Sequence, residues 1–383
     1  MPLTAFSREA QAELDIEQWL ERNAYQVRDD PKLEHMPPKL RAKAADDIEC
    51  SGCQARGAIL VATGKQARTG RGVSQGHFRF GETGGTNPHH PLCDFSDDRG
   101  VREDGHMVNL AKDKSALTKL VRDLVCRGIR AGLFGQGDIR AMRLWFLQAR
   151  TEHASTLDIT VEDLKWCADL DRARVWPHDD ITFRPEHGMM PGFDFAEAAR
   201  RELWRRSAHL ADGRSIIVHF QSEPLQRAIK LAEHGAHVSV FDPTALRDKF
   251  EATVRLSNFA VTHLFAGSRR RPPEPLNGNA RFWDGRANAF LALASLLLFK
   301  SDWDDSRASV LLAQVLALPS VADGLEGNVI GLNPFHDYRA WELVHEARRM
   351  VARRVDSRPV PEQIDAIKMQ LEASFNAWQA ARA

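Results

Sequence analysis

Cys50-Ser51-Gly52-Cys53, followed further along by Pro88-His89-His90-Pro91-Leu92-Cys93, is the stretch on which the reading of this chain turns. Two thiolates two residues apart can face one cation, because a tight turn brings their side chains together. Gly52 lacks the Cβ that would hinder such a turn. The second half contributes Cys93 and a histidine, spaced either as His89-x3-Cys93 or as His90-x2-Cys93. Three sulfurs and one imidazole match the tetrahedral N/S preference of Zn²⁺, at roughly 2.0–2.3 Å per bond, and leave no open coordination position. The expectation is therefore one structural Zn²⁺ held by Cys50, Cys53, His89 and Cys93, with His90 and His77 as rivals for the imidazole position. A C-x-x-C pair alone also fits a redox dithiol, but no thioredoxin-like strand–helix context follows it.

Between the two halves lie short β-like runs, Ala58-Ile59-Leu60-Val61-Ala62 and His77-Phe78-Arg79-Phe80, separated by a Gly-rich basic loop from Gly64 to Gly76. This is hairpin punctuation. The loop carries Lys65, Arg68 and Arg71, and a second basic loop carries Arg269, Arg270 and Arg271 before Pro272-Pro273. Basic loops of this kind can contact phosphates without a net-positive protein, so these six residues are the candidate nucleic-acid contacts.

The run Cys50-Ser51-Gly52-Cys53, then His77-Phe78-Arg79-Phe80-Gly81, then Pro88 to Phe95, resembles the N-terminal zinc-binding segment of competence CoiA-like proteins and related bacterial mobile-element proteins. The resemblance covers residues 50–95. It implies a zinc segment and traffic with DNA or RNA in competence, mobile-element or defence settings, alongside partner proteins. In CoiA-like proteins a restriction-type nuclease domain follows. Its spaced Asp and Glu-x-Lys have no matching set on neighbouring strands here.

The whole chain has 383 residues, with 52 Lys plus Arg against 52 Asp plus Glu. That balance excludes a whole-molecule basic field, so polyanion binding must use local patches. The length predicts more than one domain. Five cysteines spread over it (Cys126 and Cys167 complete the set) argue against a secreted disulfide scaffold. The acidic first residues do not resemble a signal peptide, and the apolar run from Ala287 to Phe299 is too short to span a bilayer. The expected compartment is the cytoplasm, without a membrane partner.

Around the zinc segment the pattern predicts an α+β, predominantly helical protein, with a small zinc-binding β-rich N-terminal segment, a central α/β unit and a helical C-terminal region. The expected divisions are residues 1–110, 111–195, 196–266 and 267–383. Residues 1–45 read as helical, with Ser7 capping a helix through Leu14, Ile16, Trp19 and Leu20. Helices are expected from Ser115 to Leu147, broken at Gly132–Gly137, and from Thr160 to Ala173 with Thr160 as N-cap. Residues 215–242 read as strand, helix, strand, but the turn Gln221-Ser222-Glu223-Pro224 lacks the glycines of a dinucleotide site. Ala287–Phe299 reads as a buried helix, and the Trp145/Phe146 and Trp166/Trp176 aromatics as core.

The functional expectation is a non-catalytic, zinc-stabilised, nucleic-acid-associated subunit of a bacterial or phage complex. The alternative is a divergent metal-dependent nuclease with Asp179, Asp180 or Glu186 at a Mg²⁺ site.

Overall fold

A computed structural model describes residues 4–62, 64–65, 72–74, 76–81, 88–93, 95, 116–156, 158–173, 181–207, 210, 222–233, 239–265, 288–321, 335 and 338–382. Arg68, Arg71, Asp179, Asp180, Arg269, Arg270, Arg271 and the expected strand at 215–220 lie outside them. The described elements run β1 (Thr4–Ser7), β2 (Ala12–Asp15), α1 (Ile16–Arg22), α2 (Pro38–Asp47), β3 (Ile48–Glu49), β4 (Ala58–Val61), β5 (Gly64–Lys65), β6 (Gly72–Ser74), β7 (His77–Phe80), α3 (Ala116–Arg130), α4 (Gln136–Glu152), β8 (Ala154–Thr156), α5 (Val161–Arg172), α6 (Phe195–Ser207), α7 (Ser222–Glu233), β9 (Ser239–Phe241), α8 (Arg247–Phe265), α9 (Asn288–Lys300), α10 (Asp305–Ala317), α11 (Tyr338–Arg353) and α12 (Val360–Ala380). Helix predominates and the sheets are small.

The chain divides into two compact units, one from Met1–Ser155 with Thr244–His336, the other from Thr156–Pro243 with Asp337–Ala383. The first unit contains two cores. Its N-terminal lobe begins with strands, not with the expected helix capped by Ser7. β1 and β2 form a hairpin with Thr4 opposite Asp15 and Ser7 opposite Ala12, and β3 pairs with the other edge of β1. Gln11 takes a left-handed φ of 51° at the turn. The physical reason is a tertiary hydrogen-bond hub. The Ser7 hydroxyl donates to Asp47 at 2.7 Å instead of capping a helix, and Trp19 Nε1 donates to the same carboxylate at 2.7 Å. The helix that does form, α1, starts after Asp15, whose carboxylate accepts from the Gln18 N–H at 2.8 Å. Trp19, Leu20, Ile48, Phe78 and the metal-site sulfurs of Cys50 and Cys93 share this lobe's core.

β4 and β7 form an antiparallel pair with Ala58 opposite Phe80 and Val61 opposite His77. Alternation buries Ala58, Leu60, Phe78 and Phe80, and leaves Ile59, Val61, His77 and Arg79 half-buried on the other face. β5 and β6 pair with Gly64 opposite Ser74.

The second core of this unit is helical. α9 is apolar on every side, and each residue from Ala289 to Leu298 is buried, as expected for the run ending at Phe299. α3, α4, α8 and α10 pack around it. The glycine break between α3 and α4 falls where the sequence places it. Helix α4 also packs against the N-terminal lobe. Arg143 pairs with Glu13 and Arg140 with Glu49, while the Arg140 guanidinium lies 3.7 Å from the Phe6 ring centroid.

The second unit packs α12 on α6, and α11 on α5 and α7. α5 opens as expected, with the Thr160 hydroxyl accepting from Asp163 N at 3.1 Å and the Asp163 carboxylate accepting from Thr160 N at 3.2 Å. Trp166 and Cys167 are buried there. Among the described residues no helix is long and apolar enough to cross a membrane.

Candidate metal centre

The C-x-x-C turn follows β3 directly, so the sheet edge fixes where Cys50 stands. Cys50 N–H donates to the Ala55 carbonyl at 2.8 Å, and Gln54 N–H donates to the Cys50 carbonyl at 2.9 Å. This closes residues 50–55 into a compact loop. Gln54 sits at φ 62°, a left-handed conformation that a side chain adopts at a cost. Gly52 suits the close approach of the two turns. A Cβ at this position would lie 3.1 Å from Cys93 Sγ and 3.4 Å from the Phe95 ring. The second half is a turn of its own, with Cys93 N–H donating to the His90 carbonyl at 2.8 Å.

These two turns bring one donor atom each from Cys50, Cys53, His89 and Cys93 within 4.8 Å of one another. Cys50 Sγ and Cys93 Sγ are 3.8 Å apart, and Cys53 Sγ lies 3.3 Å from His89 Nδ1. A tetrahedron with bonds of about 2.3 Å to sulfur and about 2.0 Å to nitrogen has S···S edges near 3.8 Å and S···N edges near 3.5 Å. The donor set thus fits a single ion and leaves no open corner. Cys50 and Cys93 are buried, while Cys53 and His89 are half-buried.

Two further features suit thiolate sulfur. Gly52 N–H points at Cys50 Sγ and Phe95 N–H at Cys93 Sγ, both at 3.4 Å. Such amides stabilise negative sulfur in a buried place. The sulfurs also compete for charge. The Cys50 thiol, followed by the Cys93 thiol, holds Cys53 well below the ordinary thiol range. Burial, with Cys53 beside it, pushes Cys50 up to about 12. Cys93 is pushed up strongly by Cys50 and then Cys53. A divalent cation held at the centre would favour ionisation of all three sulfurs together.

The histidine ambiguity in the sequence is resolved by geometry. His89 Nδ1 is in the cluster, and its ring meets Phe80 edge-on, with centroids 5.2 Å apart. His90 turns elsewhere. Its Nδ1 accepts from Leu92 N–H at 3.1 Å and its Nε2 lies 3.5 Å from Thr151 Oγ1 on α4. His77 sits in β7, outside the cluster. The sequence marks Cys50, Cys53 and Cys93 and leaves the imidazole open between His89, His90 and His77, and the amide donors and the strained Gln54 carry no residue-type signal in it.

Of the proposed nucleic-acid residues, only the backbone of Lys65 is described, in β5. Among the alternative carboxylates, Glu186 is exposed, and its neighbour His187 accepts from Arg184 N–H through Nδ1 at 3.2 Å, a local cap. Among the described residues, no other group of three His, Cys, Asp or Glu donors converges as this one does. No family model, curated protein or solved structure matches the chain.

Proposed function

We propose that this chain is a zinc-stabilised, nucleic-acid-associated protein, acting as a non-catalytic cytoplasmic subunit of a bacterial or phage-encoded complex in competence, mobile-element or defence traffic. The observation that carries the reading is the convergence of Cys50, Cys53, His89 and Cys93 at separations suited to one tetrahedral ion. Three thiolates and an imidazole select Zn²⁺ over the hard cations Mg²⁺ and Ca²⁺, which take oxygen ligands. The spacing suits one ion. With every corner supplied by the protein, the ion has no place for water or substrate, so its role is to hold the lobe together.

The step to nucleic acid is supported by basic sequence on a charge-balanced chain. Lys65, Arg68 and Arg71 stand between β4 and β7, which spring from the metal turns. Arg269, Arg270 and Arg271 form the second cluster. Partner subunits are the remaining part of the proposal.

The test is a salt titration of binding to DNA and RNA, with metal content measured on the same sample. Affinity is expected to fall steeply with salt and to weaken in Arg269→Ala/Arg270→Ala/Arg271→Ala. No binding at low salt would defeat the nucleic-acid reading. Divalent-dependent cleavage abolished by Asp179→Ala plus Asp180→Ala would replace it with a nuclease.

A further inference from the structure

The four donors of the candidate metal centre are not equally sheltered. Cys50 and Cys93 are buried, whereas Cys53 and His89 are half-buried, with Cys53 Sγ 3.3 Å from His89 Nδ1. The edge that joins this sulfur to this imidazole is therefore the side of the cluster that a small solute reaches. The remaining cysteines, Cys126 in α3 and Cys167 in α5, are buried, and all five thiols are free. Cys53 is thus the one sulfur of the chain open to a small polar oxidant.

Its neighbours decide what oxidation leads to. The donor atoms of the cluster all lie within 4.8 Å of one another, so the sulfurs of Cys50 and Cys93 are both close to Cys53 Sγ. The backbone chooses between them. Gln54 N–H donates to the Cys50 carbonyl at 2.9 Å, which places Cys50 and Cys53 on one hydrogen-bonded turn. Tight turns keep Cα atoms three residues apart within about 7 Å, a separation that a disulfide can bridge. A bond from Cys53 to Cys50 closes inside that turn. A bond to Cys93 would have to draw in the second turn, where Cys93 N–H is tied to the His90 carbonyl at 2.8 Å.

We propose that Cys53 is an oxidation site for hydrogen peroxide, and that Cys50 resolves it as a disulfide whose formation releases the ion. This rests on the metal reading above and adds a reaction to it. A sulfur bound to a divalent cation is a thiolate, and the thiolate is the nucleophilic form. The Cys53 thiolate attacks one peroxide oxygen, the O–O bond breaks, hydroxide leaves and Cys53 becomes a sulfenic acid. The Cys50 thiolate then attacks the Cys53 sulfur. The S–S bond forms, the S–O bond breaks and a second hydroxide leaves. The two sulfurs together have lost two electrons and the peroxide has gained two. Cys93 and His89 are then the only donors left at a centre where Zn²⁺ takes four, so the ion is released and the two turns are no longer tied through it.

The experiment treats the full zinc-loaded chain with hydrogen peroxide while a chromogenic chelator reports free zinc. Release is expected to run about tenfold faster with peroxide than with the chelator alone, and to scale with peroxide concentration. In a parallel sample, dimedone, which traps sulfenic acids, is expected to mark Cys53 before any other cysteine. After alkylation and tryptic digestion, the peptide Ala44–Arg56, which holds both Cys50 and Cys53, is expected to be lighter by two hydrogens, with Cys93 alkylated in a separate peptide. Retention of zinc under excess peroxide overturns the oxidation site. Release without a Cys50–Cys53 bond, or first capture at another cysteine, overturns it as well, while the structural metal stands in all three cases. A chain that purifies without zinc overturns the metal reading and the oxidation site together.

Discussion

At the scale of single residues, the lobe depends on a few positions whose roles come from geometry more than from residue type. Gly52→Val would press a branched side chain onto Cys93 Sγ, which already stands 3.1 Å from a bare Cβ position. We expect this variant to lose metal to a chelator at least tenfold faster than wild type, read with a chromogenic metallochromic dye. Gln54→Gly is the converse case. At φ 62° glycine relieves a conformation that side chains avoid, and a gain of about 1 kcal/mol in unfolding free energy is expected by denaturant titration. The buried carboxylate of Asp47 gives the pH dependence. Burial opposes its ionisation, but donors from Ser7, Trp19 and Glu9 N–H outweigh that and hold it below the usual carboxylate range. A lowered folded value means that Asp47 contributes fully above its unfolded value and less as pH falls through the folded one. Asp47→Asn should therefore cost about 2–4 kcal/mol at neutral pH, and the gap to wild type should close as pH drops below about 4. An undiminished gap at low pH would show that the hub does not act through charge. Cys50, Cys53 and Cys93 were legible in the sequence because ligand chemistry restricts residue type and spacing together, whereas spacing alone left the choice among His89, His90 and His77 open. Gln54 and Asp47 were not, since a left-handed glutamine and a three-donor aspartate look ordinary until the chain is folded.

Among the elements, legibility follows how local the determining physics is. The N-terminal capping of α5 rests on Thr160 and Asp163, three residues apart, and was readable from the sequence. The burial of α9 was equally clear, because no polar stripe interrupts its surface. The β1–β2 hairpin was misread as helix. Its decisive contacts run from Ser7 and Trp19 to Asp47, far along the chain, and no local pattern encodes them. The α3–α4 corner offers a matched test. A Cβ at Gly128 would stand 2.1 Å from the buried Phe134 ring, whereas one at Gly137 meets nothing within 4 Å. Gly128→Ala should destabilise by about 1–3 kcal/mol, while Gly137→Ala in the first turn of α4 should be neutral or stabilising by up to about 1 kcal/mol. Equal effects on the unfolding midpoint would contradict this packing. The joint between α4 and the N-terminal lobe depends on charge. Glu13 and Arg143 are both buried, with side-chain exposures of 2% and 4%. Arg143→Met leaves Glu13 buried without its guanidinium, at an expected cost of about 3–5 kcal/mol. Adding Glu13→Gln should recover part of it, as a double-mutant cycle in urea would report.

For the whole molecule, the charge balance and the metal cluster together limit what the chain can do. A net charge near zero leaves any long-range steering to local patches. The predominance of helix was visible in the spacing of apolar residues, and β4 and β7 lie where the runs on either side of the Gly-rich loop suggested strands. The sequence does not show that each compact unit draws on two separated stretches, with Thr244–His336 returning to the unit of Met1–Ser155. Such returns are set by which apolar faces fit each other, a property of assembled surfaces. The measurement that bears most directly on the account is X-ray absorption at the zinc edge, with elemental analysis, on the purified full chain. One zinc per chain is expected, with three sulfur neighbours near 2.3 Å and one nitrogen near 2.0 Å. A chain that purifies folded with no bound transition metal, or with a metal ligated by oxygen, would contradict it.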